Sequence, residues 1–238
     1  MIALYTDFGT GSPYVGLLKA VLARDAPGLP IVDLLHDLPG WNIPAAAHLL
    51  AALTTDFPAG TVLLCVVDPG VGMAARPAWL VRADGRTLIG PGNGLFDVVI
   101  GRAQQAEVRE ITWRPARLSA SFHGRDLFAP IAARAATGER VASRVLPGVT
   151  ADGTDLAEVI YIDTFGNGMT GIRATSISRR RRLRVGGDSL GWARTFGERQ
   201  PGAAFWYENS LGLVEIACNR GSAELELDLV VGTRVEVL

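Results

Sequence analysis

Acidic residues stand directly after three short apolar runs of this 238-residue chain, and chemistry is expected first at those turns. Thr6-Asp7-Phe8-Gly9-Thr10-Gly11 follows the first run, His36-Asp37-Leu38-Pro39-Gly40-Trp41 the second, and Asp68-Pro69-Gly70-Val71-Gly72 the third. If the runs are strands of a parallel α/β sheet, these turns border the cleft where such sheets bind ligands. Asp7 and Asp37 are also suited to capping the helices that follow them. Asp68 differs, because the Pro-Gly after it makes a tight turn that holds the carboxylate at the sheet edge. Further on, Ser121-Phe122-His123-Gly124-Arg125-Asp126 sets a histidine just ahead of a predicted helix. A lone histidine is more often structural, but His123 sits beside Asp68 if both loops border one cleft. Asp163-Thr164-Phe165-Gly166-Asn167 has the composition of an Asx turn.

Positioning these side chains needs a regular frame, and the first half of the chain supplies its pattern. Residues 2–5, 31–35 and 61–67 read as buried strands, and residues 14–24 and 44–54 carry helical spacing. That alternation predicts a parallel sheet. Shorter strands fit 78–82 and 87–89, and a helix fits 127–136. Residues 137–155 mix Gly, Pro, Ser and charge without periodicity, which predicts a domain boundary and domains of 1–145 and 156–238. Beyond it, 159–162, 183–185, 213–217, 223–227 and 234–238 alternate apolar and polar residues between turn signals, as in a small antiparallel barrel or sandwich.

Composition narrows the function classes. Apolar residues make up 48% and charged residues 20%, so a packed core is expected rather than disorder. A net charge of −1 gives no field for wrapping nucleic acid or holding an anionic membrane, and Arg179 to Arg182 reads as a solvated turn. Lys19 is the only lysine and no phosphate-binding GxxxxGK[ST] segment occurs. Cys65 and Cys218 each lie in an apolar stretch and read as buried thiols rather than a disulfide. The N-terminus carries no basic segment followed by an apolar run, and no later segment approaches a membrane span, so a cytoplasmic protein is expected.

Taken together, TDFG at 6–9, Tyr14-Val15-Gly16, VVDPGVG at 66–72, PGNGL at 91–95, FHGRDLFAP at 122–130, YIDTFGN at 161–167 and ENSLGLVEIA at 208–217 resemble the S-adenosyl-L-methionine (SAM) hydroxide adenosyltransferases, relatives of the fluorinases and chlorinases. The resemblance implies hydrolysis of SAM to adenosine and methionine, with SAM as substrate and neither a metal nor a further cofactor. It implies an N-terminal α/β domain with a mostly parallel, Rossmann-like sheet, a smaller C-terminal antiparallel β-barrel, and a homotrimer with its sites at subunit interfaces. Matching positions take the family's roles. Asp7 corresponds to the acid that holds the ribose hydroxyls, and Asp68 and His123 to two members of an Asp-Arg-His set that activates water. Asp163 corresponds to the acid that meets the methionine ammonium, Asn167 to an adenine contact and Ser210 to a contact with the amino-acid end. Trp41 lies where the halogenating relatives stack a tryptophan on the nucleoside, although a tryptophan in that turn is equally suited to covering the core edge. Phe8, Tyr14, Asn93, Phe122, Phe165 and Asn209 complete the implied substrate-binding set.

The chain departs from the family pattern at three places. Ala75 occupies the position of the family arginine, and Arg76 beside it is either its replacement or a structural arginine next to a true loss; Gly92 stands where aspartate is common, and Leu211 follows Ser210 where halogenases have arginine. Asp68 stands where the halogenases carry tyrosine, and a carboxylate there repels halide, which favours water. The other readings are a SAM- or adenosine-binding protein without turnover, for which Ala75 and Gly92 speak, and a SAM-dependent halogenase.

Overall fold

The computed structural model describes residues 1–72 and 76–238, so Ala75 lies outside the described residues. The chain opens with β1 (Ile2–Thr6), α1 (Pro13–Asp25), β2 (Ile31–Leu35), α2 (Ile43–Thr54) and β3 (Val62–Val66). It continues through β4 (Ala78–Ala83), β5 (Arg86–Pro91), α3 (Asp97–Arg102) and β6 (Ala106–Ile111). A π turn at Gly124–Phe128 runs into α4 (Ala129–Ala136), and β7 (Ser143–Val145) follows. Two compact units result, residues 1–43 with 54–153 and residues 44–53 with 154–238.

In the first unit, α1 shows how the pattern becomes packing. Ser12 caps it by accepting a hydrogen bond from the Tyr14 amide at 3.2 Å, and Pro13 occupies the first helical position, where no backbone donor is needed. Val15, Leu18 and Leu22 form one buried stripe, of which Leu18 and Leu22 pack, with Ile131 and Ala132 of α4, on Ile2, Leu4, Val62 and Leu64 of the sheet. Leu18→Ala would cost about 2–5 kcal/mol through the cavity it leaves.

The sheet of this unit has seven strands in the order β2-β1-β3-β5-β4-β6-β7. Pairings among β2, β1, β3 and β5 are parallel, while β5 with β4, β4 with β6 and β6 with β7 are antiparallel. The expected mostly parallel sheet is therefore corrected to a mixed one. The reversal starts at Asp84-Gly85, both at positive φ (46° and 81°), which makes the tight two-residue turn that folds β4 directly onto β5 without a crossover helix. Asp84 is held in that conformation by the amides of Gln104 and Gln105, at 3.2 and 3.0 Å.

The second unit contains β8 (Leu156–Ile162), β9 (Gly168–Arg173), β10 (Leu183–Val185), β11 (Asp188–Leu190), β12 (Ala204–Glu208), β13 (Leu213–Cys218), α5 (Ala223–Glu226) and β14 (Val235–Val237). Its strands form two antiparallel sheets, ordered β12-β13-β9-β8 and β11-β10-β14. Single bridges join Glu158 to Arg234 and Trp192 to Trp206. Val159, Ile172, Trp206, Val214 and Ile216 lead its core. The expected strand at 223–227 is corrected to the short helix α5. Ser222 caps it by accepting from the Leu225 amide at 3.2 Å, and a five-residue alternation is too short to separate the two periods. The alanine-rich α2 belongs to this unit, and the His48 ring lies 2.8 Å from the Pro44 carbonyl and 3.0 Å from that of Thr154. Among the described residues no helix is long and apolar enough to cross a membrane.

Candidate active site

The turn after β1 is tied to the turn after β2. The Gly9 amide donates to the His36 carbonyl at 2.8 Å, and Asp37 accepts from both the amide and the hydroxyl of Thr10. Asp37 is thus a loop brace, and since Ser12 caps α1, Asp7 is free of the capping role that its position allowed. Gly40 passes so close to Asp7 that an added Cβ would lie 3.0 Å from Oδ2. Burial pushes the Asp7 carboxyl up to about 6; hydrogen bonds from the amides of Asp7 and Asp68 oppose that rise, and the Asp68 charge adds to it.

Next to it, the turn after β3 carries Asp68. The Val71 amide closes that turn on the Asp68 carbonyl at 3.1 Å, and Arg76 Nη1 donates to Asp68 Oδ1 at 3.1 Å. The Asp68 side chain is 8% exposed and that of Arg76 37%, so the ion pair opens to solvent on the arginine side only. Asn93 Nδ2 donates to the Val67 carbonyl at 2.8 Å and its Oδ1 accepts from Leu95, which places the Asn93 amide as a brace behind Asp68. Gly92 is required by packing, because a Cβ there would lie 2.5 Å from Trp79 Cε2.

Asp68, Arg76 and His123 line one cavity of about 180 Å³, together with Arg114, Leu118, Leu127 and Phe128. The space is large enough for a few waters between a carboxylate, a guanidinium, an imidazole and apolar walls. Beside it Phe8, Tyr14 and Phe122 form an edge-to-face triplet, with ring centroids 5.0–6.0 Å apart. Gly124 allows it, since a Cβ there would touch the Phe8 ring at 3.1 Å. Trp41 is 89% exposed and so does not cover the core edge of its own chain.

The second unit carries the remaining candidates on two hairpin turns. In the β8–β9 turn, Asp163 Oδ1 accepts from the amides of Phe165 and Asn167, and Oδ2 from Asn167 Nδ2, all at 2.9 Å. This is the expected Asx turn, with Asn167 buried and Phe165 76% exposed. In the β12–β13 turn, Asn209 Oδ1 accepts from the amides of Leu211 and Leu213, each at 3.0 Å, and Gly212 takes a φ of 71°. Ser210 stands exposed at its tip. The Arg179 to Arg182 run is a solvated turn, in which Arg179 pairs with Glu208 and Arg182 donates to Ser189.

Three residues of these sites escaped the sequence reading. Gly40 and Arg114 carry no local signal, whereas Glu215 does, as a charge at an apolar register inside the VEIAC stretch. It is 3% exposed, its carboxylate accepting from the Tyr207 hydroxyl and from Asn209 Nδ2 at 2.7 Å.

Known proteins share this arrangement across its whole length. Residues 2–144 match the SAM hydroxide adenosyltransferase N-terminal domain and residues 157–236 the C-terminal domain of the same family. An (R)-S-adenosyl-L-methionine hydrolase of Thermus thermophilus is 40% identical, covering 98% of this chain and 97% of its own. A fluorinase of Nocardia brasiliensis is 27% identical, over 100% and 96%. The crystal structure of an uncharacterized conserved protein from Thermotoga maritima superposes with a TM-score of 0.89 at 33% identity, covering 100% of this chain and 99% of that one. With both domain matches in order and close likeness carried from end to end, this chain belongs to the SAM hydroxide adenosyltransferase family.

Proposed function

We propose that the protein hydrolyses SAM to adenosine and L-methionine by in-line attack of water at the ribose C5′. The observation that carries this reading is that the Asp68–Arg76 pair and His123 line one small cavity. The leaving group is a neutral thioether, so no general acid is required, and the demand falls on the nucleophile. His123 accepts a proton from the water as its oxygen bonds to C5′, while the electron pair of the C5′–S bond passes to sulfur. Asp68 orients the water, and Arg76 stabilises its growing hydroxide character. Arg76 supplies the guanidinium that Ala75 lacks, which disfavours a protein without turnover, and the Asp68 carboxylate disfavours halide.

Asp7 receives the ribose hydroxyls, with Phe8, Tyr14, Trp41 and Phe122 as the apolar surround and Asn93 as support. Asp163, Phe165, Asn167, Asn209 and Ser210 receive the adenine and amino-acid ends. We read residues 1–145 and 156–238 as the two domains, and the second as a closed barrel. The Glu158–Arg234 and Trp192–Trp206 bridges support closure, since they join the free edges of the two antiparallel sheets. The aromatic rings of Trp41 and Phe165, exposed in a single chain, support a homotrimer with sites at its interfaces. Two buried free thiols accord with the cytoplasm. No metal, further cofactor, nucleic acid or membrane enters this reading.

The test is incubation of the protein with SAM in chloride buffer made with oxygen-18 water, with products identified by mass spectrometry. Label in the 5′ oxygen of adenosine is the expected result. SAM recovered intact, or a 5′-chlorinated nucleoside, would overturn it.

A further inference from the structure

We propose that Glu215 is a positioning residue, whose buried carboxylate locks the Asn209 side chain and through it the Ser210 turn in the shape that takes up the amino-acid end of the substrate. The inference rests on the reading of Ser210 given above and extends it to a residue that touches no substrate.

The chain of contacts runs in one direction. Glu215 Oε2 accepts from Asn209 Nδ2 at 2.7 Å, which fixes the amide so that Asn209 Oδ1 faces the turn. That oxygen accepts from the Leu211 and Leu213 amides, while the Gly212 amide closes on the Asn209 carbonyl at 3.0 Å. Ser210 is thereby held on a turn in which the Leu211, Gly212 and Leu213 amides are directed inward. Glu215 Oε1 accepts from the Tyr207 hydroxyl, so each carboxylate oxygen has a donor.

Plain structural use explains this poorly. On the same face of β13 stand Leu213 and Ala217, and Ala217 packs with Phe205 in a small apolar cluster that Tyr207 adjoins. An aliphatic residue at 215 would suit that surface, whereas a carboxylate costs desolvation unless it is fully bonded. Burial raises the Glu215 carboxyl above its ordinary range and the nearby Asp163 charge adds to the rise, while the Tyr207 and Asn209 hydrogen bonds oppose it. The acid is therefore kept at some cost, and what it secures is the Asn209 amide. The strand β9 that leaves the Asp163 turn pairs with β13 through Met169 and Glu215, which places the acid beside both turns assigned to the substrate.

The test compares Glu215→Ala, Glu215→Gln, Tyr207→Phe, Asn209→Ala and the Glu215→Ala/Asn209→Ala double variant in steady-state SAM hydrolysis, with adenosine affinity measured by calorimetry. Glu215→Ala is expected to raise KM for SAM about tenfold or more while kcat and adenosine affinity stay within about threefold. Glu215→Gln keeps an acceptor for Asn209, and Tyr207 can turn its hydroxyl to accept, so KM should return to within about threefold of wild type. Tyr207→Phe, which leaves Asn209 untouched, should likewise stay within about threefold. The double variant should be no worse than Asn209→Ala alone. An unchanged KM in Glu215→Ala, additive losses in the double variant, or a Gln variant as impaired as Ala would each overturn the inference. A wild-type protein that neither binds nor hydrolyses SAM would overturn the functional reading and this inference with it. If Glu215→Ala fails to fold, Glu215→Gln against Asn209→Ala decides the matter by the same KM comparison.

Discussion

Arg76 lies across Gly70 to reach Asp68, its Nη1 3.1 Å from Oδ1, and the space a side chain at 70 would fill is taken by the guanidinium. The pair thus depends on a glycine within the same turn. Asp68→Ala should lower kcat about a hundredfold or more with SAM affinity nearly unchanged, and Arg76→Ala should lower it about a hundredfold. Gly70→Ala, which displaces the guanidinium without removing it, should resemble Arg76→Ala. Single-turnover kinetics with separate SAM binding checks all three, and equal losses in binding and turnover would move Asp68 from catalysis to binding.

Trp79 packs against Gly92, so its indole occupies the space that a side chain at this position would need. Gly92→Asp should destabilise the protein by about 1–3 kcal/mol, because the new side chain forces the indole from its seat. Denaturant midpoints of the two proteins give the comparison. A variant as stable as wild type would mean that Trp79 moves freely.

Asp7 should leave a signature in the pH dependence of stability. Its folded-state carboxyl is raised from the ordinary 3.8 to about 6, so between those values the folded chain binds more protons than the unfolded one. Its contribution favours the folded state at low pH and is lost as pH rises through about 6. Asp7→Asn lacks that contribution. Its stability relative to wild type should climb across this window and level off above it, measured by urea unfolding at several pH values. A constant difference would show that the Asp7 carboxyl is not raised.

Asp163 accepts three hydrogen bonds from its own hairpin turn, so its removal acts on structure and on binding together. Asp163→Ala should lower stability by about 1–3 kcal/mol and weaken SAM binding as well. Thermal unfolding and calorimetry on the same sample read both. Unchanged affinity for SAM and for methionine would remove Asp163 from the site.

Local chemistry was readable without coordinates. The Pro-Gly after Asp68, the helical spacing over residues 14–24 and the Asx composition at 163–167 each encode a turn or a period within a few residues. The family motifs extended that reading to the roles proposed for Asp7, Asp68, His123 and Ser210. What the tertiary structure decided are the pairings between distant segments. The Asp84-Gly85 turn folds β4 onto β5 and makes the sheet mixed, Arg76 rather than another base reaches Asp68, and Asn209 is fixed by a buried acid on the neighbouring strand position. Such partners are chosen by sheet order, register and the space left under a glycine, and these are properties of the packed chain that no local pattern carries.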